Sequence, residues 1–451
     1  MRRLSRTIAA LISILLVSVP VWAQIASTQT VRLARAFPPH TKRIVEILLS
    51  PDGSRIAARS ADRTLRITDS KTGEAQVTIT GLGRSESLHQ WSPSGQSLVT
   101  TDHSTKVVQL WDVKTGKRIG AYGPHRNDFK ELHWKEDGRT PSNMLTDGDD
   151  KEGIELWDLE SNKMIAKLRQ WELKPHETTS FCESFFSTKE WVTAWSYGAF
   201  ADKGRRVVTS NDPYPSQLWD TATGKLIAKL YLPDEIPKPS RFDPLPQISP
   251  DTRLIAARSP AGIRLWDAAT GQLIHTLAES AQYAFSPDGK TIITTWRGKP
   301  RSSSDELTGE LKFWDVASGQ LQFKIERAFK SAWRLSLAPD HRRLLVFGFR
   351  RNKMRLIDLD QRKPLAELPV NGAYDSLFGD DGCEPVVFSP EGKILLTQSK
   401  GDIKLWDAGT GKLIVDLNEA RMPVVFSPDG QFLITASKDR KSVMLWEIID
   451  Q

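Results

Sequence analysis

From about residue 30 to its end the chain is written in short alternating runs broken by turn residues. The stretch "DIKLWDAGTGKLIVDL" (402 to 417) alternates apolar and polar positions up to Trp406 and Asp407, turns at Thr410 and Gly411, and alternates again. Such a period of two predicts a half-buried strand, a turn and a second strand. The phrase recurs at Trp111-Asp112, Trp157-Asp158, Trp219-Asp220, Trp266-Asp267 and Trp314-Asp315, with worn copies at "LRITDSKTGEAQ" (65 to 76), "MRLIDLDQRKPL" (354 to 365) and "VMLWEIID" (443 to 450). A catalytic pair is needed once or twice, whereas a packing unit is needed in every repeat. These tryptophans and aspartates are therefore expected to be structural.

A second phrase precedes each copy, as in "LSPDGSRIAARS" (49 to 60), "FSPDGKTIITTW" (285 to 296), "FSPEGKILLTQS" (388 to 399) and "FSPDGQFLITAS" (426 to 437). Proline presets one backbone angle, aspartate bonds a following amide, and glycine accepts the positive φ of a tight hairpin. Steps between successive Trp-type positions are 43, 46, 62, 47, 48, 43, 49 and 40 residues. That period fits four short strands per unit. A sheet so small cannot bury both faces alone, so neighbouring sheets must stack around an axis and the ring must close. The fold expected is all-β: a single β-propeller of four-stranded blades with nine units, eight being the next choice.

The "FSPDG" turn and the "LWD" strand followed by a "TG" turn resemble the WD40 repeat, over nearly all of the chain from residue 30. That resemblance implies a propeller and leaves the role open, because one fold hosts many functions. The family often adds a Gly-His pair ahead of each unit and an Asp before the Trp strand. His40, His125 and His176 and Asp62, Asp402 and Asp439 stand in such places, while most units lack the full set. Equivalent positions in different blades do not converge on one ion, so no metal site is expected from these histidines.

The final unit runs through Trp446 without a fourth strand, and "TVRLARAFPPH" (30 to 40) looks like an outer strand lacking inner partners. Pairing residues 30 to 36 with the last unit is the simplest closure. The 62-residue step holds extra chain around 169 to 195, read as an added hairpin or lobe.

Residues 1 to 23 carry Arg2, Arg3 and Arg6, an apolar run from Ile8 to Val19, and Val21 and Ala23 at its exit, which reads as a signal peptide followed by a short linker at 24 to 29. The propeller then fills 30 to 451, with no later run long enough to span a membrane. Removing three arginines takes the formal charge from +7 to +4, which gives no reason to expect nucleic acid. Cys182 and Cys383 lie several blades apart and are expected to stay unbonded.

The expected function is a non-enzymatic scaffold of the periplasm, cell envelope or secreted space that binds protein partners, as a monomer without cofactor or metal. The alternative is a module for an anionic envelope polymer; a propeller enzyme ranks below it, because an enzyme needs an irregular cluster of acid, base or nucleophile and the sequence offers none that the repeats do not explain. Recognition is expected on the face that receives the variable loops. There Arg297, Lys299, Arg301, Lys330, Arg350 and Arg351 of units six and seven are the candidate partner-binding residues.

Overall fold

The computed structural model of the protein describes residues 29–125, 129–147, 154–168, 196–211, 214–231, 246–259, 261–277, 282–296, 309–329, 334–347, 353–369, 386–399 and 401–449. They form nine four-stranded antiparallel sheets arranged as the blades of a propeller. In blade 1 the strands Ile44–Leu49, Arg55–Ser60, Thr64–Asp69 and Ala75–Thr80 follow one another from the innermost outward. Blades 2 to 8 repeat that order. The extra segment at 169 to 195 lies outside the described residues.

Blade 9 is assembled from both ends of the chain. Ala420–Phe426, Phe432–Ser437 and Val443–Ile449 supply three strands, and Thr30–Ala36 adds the fourth. The register runs from Thr30 opposite Ile449 to Ala36 opposite Met444, with a bulge between Leu33 and Arg35. Arg32 pairs with Glu447 at 2.6 Å across this seam. The expected closure by residues 30 to 36 is thus the observed one.

The second strand of each blade is buried on both sides, and its period of two distributes residues between two neighbours. In blade 1, Ile56 and Ala58 join Ile434, Ala436 and Leu445 of blade 9, while Ala57 joins Leu88 and Leu98 of blade 2. Seven further buried clusters link blades 2 and 3, 3 and 4, 4 and 5, 5 and 6, 6 and 7, 7 and 8, and 8 and 9. Nine sheets sharing nine interfaces leave no sheet outside the ring, which sets the eight-bladed alternative aside.

The tryptophans sit in those interfaces, each packed toward the preceding blade. Trp219, Trp266, Trp406 and Trp446 are buried, and Trp111, Trp157 and Trp314 are half-buried against the same type of cluster. The indole reaches diagonally across the sheet to a threonine on the second strand. Trp111 donates to Thr100 at 2.9 Å, Trp219 to Thr209, Trp314 to Thr294 and Trp406 to Thr397 at 2.8 Å, and Trp446 to Thr435 at 3.0 Å. In blade 3 Trp157 and Thr146 both donate to Glu155. Blades 1 and 7, which have Thr68 and Ile357 in place of tryptophan, have Ala58 and Val346 at the threonine position.

Blade 5 breaks the pairing. Trp266 has Ala257 diagonally across from it where the other tryptophan-bearing blades have threonine, and its Nε1 lacks an acceptor among the described residues. An unpaired buried donor costs about 1 to 3 kcal/mol. Ala257→Thr is therefore expected to stabilise the protein by roughly 1 kcal/mol, raising the denaturant midpoint at constant slope. A midpoint unchanged or lowered would mean that the added methyl overpacks the interface and outweighs the new bond.

Candidate partner-binding face

The two ends of the strands make unlike faces. One face carries the first and third connections of each blade, and these turns run to four to six residues throughout. Their chemistry is the same from blade to blade. Asp112 accepts from the Thr115 amide at 2.7 Å and hydroxyl at 2.6 Å. Asp220, Asp267 and Asp407 repeat this with Thr223, Thr270 and Thr410, and Asp315 repeats it with Ser318. Asp158 caps the amides of Glu160 and Ser161. The threonine or serine hydroxyl and amide together hold the Asp112, Asp220, Asp267 and Asp315 carboxyls below their ordinary value. The Trp-Asp pair thus divides its work: the indole fills the interface and the carboxylate fixes the turn.

These turns also rest on their neighbours. Gly271 sits at φ +70° with its missing Cβ only 2.3 Å from the Cβ of Ala228 in the preceding blade, and Gly411 stands likewise against Ala366. In blade 9 the third and fourth strands, Val443–Ile449 and Thr30–Ala36, are not joined by the turn that joins them in the other blades. A polar cavity of about 310 Å³ opens there, between Glu391, Lys393, Asp429 and Glu447. Its carboxylates are already engaged: Glu391 pairs with Lys393, Glu447 with Arg32, and Asp429 accepts from Ser427.

The opposite face carries the second connection of each blade and the links between blades. Second connections range from two residues at 260–261 to twelve at 297–308, and links from two at 418–419 to 27 at 169–195. Arg297, Lys299, Arg301, Lys330, Arg350 and Arg351 belong to these connections and all lie outside the described residues, as do His176, Cys182 and Cys383. Among the described residues no group of three or more His, Cys, Asp or Glu side chains comes together in a metal-binding arrangement.

The histidines of this face are packed into the blades. His40 is buried, 3.1 Å from the Thr64 hydroxyl and 3.5 Å from Asp62. Asp62 accepts from the amides and hydroxyls of both Thr41 and Thr64. Burial works to raise its pKa, but those bonds outweigh it and hold the carboxyl far below the usual range. His125 stands edge-on to Trp157 at 4.4 Å, and burial lowers its pKa to about 4, so the ring is neutral at pH 7. In blade 1 a side-chain hydrogen-bond chain thus links His40, Thr64 and Asp62. Blade 2 replaces it with buried Glu86, which accepts from Thr100 while Thr100 accepts from Trp111.

A basic surface that the loop lengths do not signal lies where blades 9 and 1 meet on this face. The Ile44 amide donates to the Arg440 carbonyl at 2.5 Å and the His40 amide to the Lys441 carbonyl at 2.8 Å. On the other side of the same segment the Ala61 amide donates to the Arg43 carbonyl, and the Leu82 amide to the Arg63 carbonyl. This backbone ladder brings together Lys42, Arg43, Arg63, Arg84, Arg440 and Lys441. Arg440 is half-buried and the other five are exposed. The signal was present in "HTKR", "ADR" and "KDRK", three short basic phrases at blade connections far apart in the chain.

Against known proteins, the profile of the WD domain, G-beta repeat family matches residues 31–69 and 424–447, the two stretches that meet at this seam. WD repeat-containing protein 1 of Gallus gallus is 32% identical over 92 residues, 20% of this chain and 15% of its own length. THO complex subunit 3 of Arabidopsis thaliana is 31% identical over 88 residues, 19% of this chain and 28% of its own. The matched segments thus span less than a third of either relative. Among solved structures, that of a eukaryotic initiation factor superposes with a TM-score of 0.52 at 15% identity, covering 84% of this chain and 89% of the other, a likeness of fold.

Proposed function

Because the chain belongs to the WD40 repeat family, we propose that it is a non-enzymatic scaffold, monomeric and exported to the periplasm, cell envelope or secreted space, that holds protein partners on the face bearing its variable connections. One observation carries this reading. The turn face is uniform and packed turn against blade, whereas the opposite face varies from two-residue to twelve-residue connections on the same rigid strands. Recognition concentrates where sequence and length can change without disturbing a core. The export part of the reading rests on the leader pattern of residues 1 to 23, and the candidate cations of blades 6 and 7 belong to the same face.

The test is affinity capture with chain 24–451 from envelope extract, after mild crosslinking, with the washed material analysed for protein and for polymer. Recovery of one or a few proteins in stoichiometric amount is the expected result. Recovery of an anionic polymer alone, or of nothing, would overturn the scaffold reading.

A further inference from the structure

We infer that the seam between blades 9 and 1 is a docking surface for an acidic polypeptide segment, held by Lys42, Arg43, Arg63, Arg84, Arg440 and Lys441. The inference rests on the scaffold reading and states the chemistry of the partner.

The charge is concentrated. The four connections at 38–43, 61–63, 81–85 and 438–441 hold seven lysines and arginines and two aspartates, a surplus of five positive charges, against +7 for the whole chain. Among the described residues Lys42, Arg43, Arg63, Arg84 and Arg440 have no carboxylate within 4 Å, and Arg63 Nε donates to the Leu82 carbonyl at 2.7 Å. Elsewhere on the described surface cations commonly have carboxylate partners, as in Lys135 with Glu160, Lys324 with Glu326 and Lys393 with Glu391. A like-charged group held together by the backbone repels itself, and an anionic ligand relieves that repulsion.

The two aspartates select the kind of anion. Asp62 is fixed between Thr41 and Thr64, and Asp439 accepts from the Ser437 hydroxyl and the Lys441 amide, so both stay ionised in the middle of the basic ladder. A polyphosphate or an anionic bilayer presents negative charge at every position and would meet the exposed carboxylate of Asp439 in the field of both aspartates. An acidic peptide can set a neutral residue opposite Asp439 and carboxylates opposite the arginine forks, whose geometry suits them. The surface is also stiff, because the ladder of amides places its backbone in the ring itself.

A labelled twelve-residue peptide alternating glutamate with alanine is titrated against the mature chain at low salt, beside inorganic polyphosphate and phosphatidylglycerol vesicles. The expected result is peptide binding weakened at least tenfold by Lys42→Glu, Arg43→Glu, Arg440→Glu and Lys441→Glu together. An equal reversal on the turn face, Lys114→Glu, Lys117→Glu, Lys225→Glu and Lys412→Glu, is expected to change it less than twofold. Both variants should keep the parent's melting temperature, since exposed charges contribute little to stability. Absence of peptide binding, equal loss in the two variants, or tighter binding of polyphosphate or vesicles than of peptide would overturn the inference. Protein capture from extract that survives the seam reversal would also sink it while leaving the scaffold reading intact. Peptide binding as expected with no protein captured from extract would instead overturn the scaffold reading.

Discussion

A chain that starts at residue 41 is expected to aggregate, or to melt far below the parent. The truncation removes Thr30–Ala36 and turns Val443–Ile449, an interior strand paired on both sides, into a bare edge. It also removes Phe37, 5% exposed in the cluster that joins blades 9 and 1, and Val31, which packs on the cluster joining blades 8 and 9. Loss of the Phe37 side chain alone is worth about 3 to 5 kcal/mol, and an unpaired apolar edge invites association with another chain. Synthetic peptide 29–40 added in trans should restore much of the melting temperature, a rescue that general damage would not show. Full stability in the truncated chain would mean that the strand is dispensable for closure.

Trp406→Ala and Trp266→Ala are each expected to destabilise the protein by about 3 to 5 kcal/mol in denaturant titration. Both indoles are buried between blades, at 7% and 4% exposure, so truncation leaves a cavity that neighbouring sheets cannot close without moving a blade. The Trp406 variant carries a second cost, since Thr397 loses the indole donor that faces it at 2.8 Å. Trp314, half-buried at its interface, should lose less. Peptide binding at the seam should persist in the folded fraction of every such variant. A midpoint within error of the parent for Trp266→Ala would remove the interface role assigned to these residues.

Much of the architecture was legible because its causes are local. An aspartate three residues before a threonine or serine makes its own turn, a period of two makes a strand, and the same grammar repeated at steps near 45 residues makes equivalent sheets. The partner of each indole was less legible. The threonines in "TIITTW", "ILLTQS" and "FLITAS" look like ordinary strand residues until the register sets them diagonally across from tryptophan. The lone misfit, Ala257 diagonally across from Trp266, becomes visible only against that register.

By itself the sequence determined the repeat unit, the strands and turns within it, the structural duty of Trp111 to Asp407, and the strand left over to close the ring. Only the tertiary structure decided that nine interfaces use every sheet, and that Lys42 and Arg43 lie beside Arg440 and Lys441. The physical reason is one of range. Turn chemistry acts across a few residues and writes its signature in the spacing, whereas a charged surface made of segments almost 400 residues apart exists only once the ring has closed and the backbone has bonded across the seam.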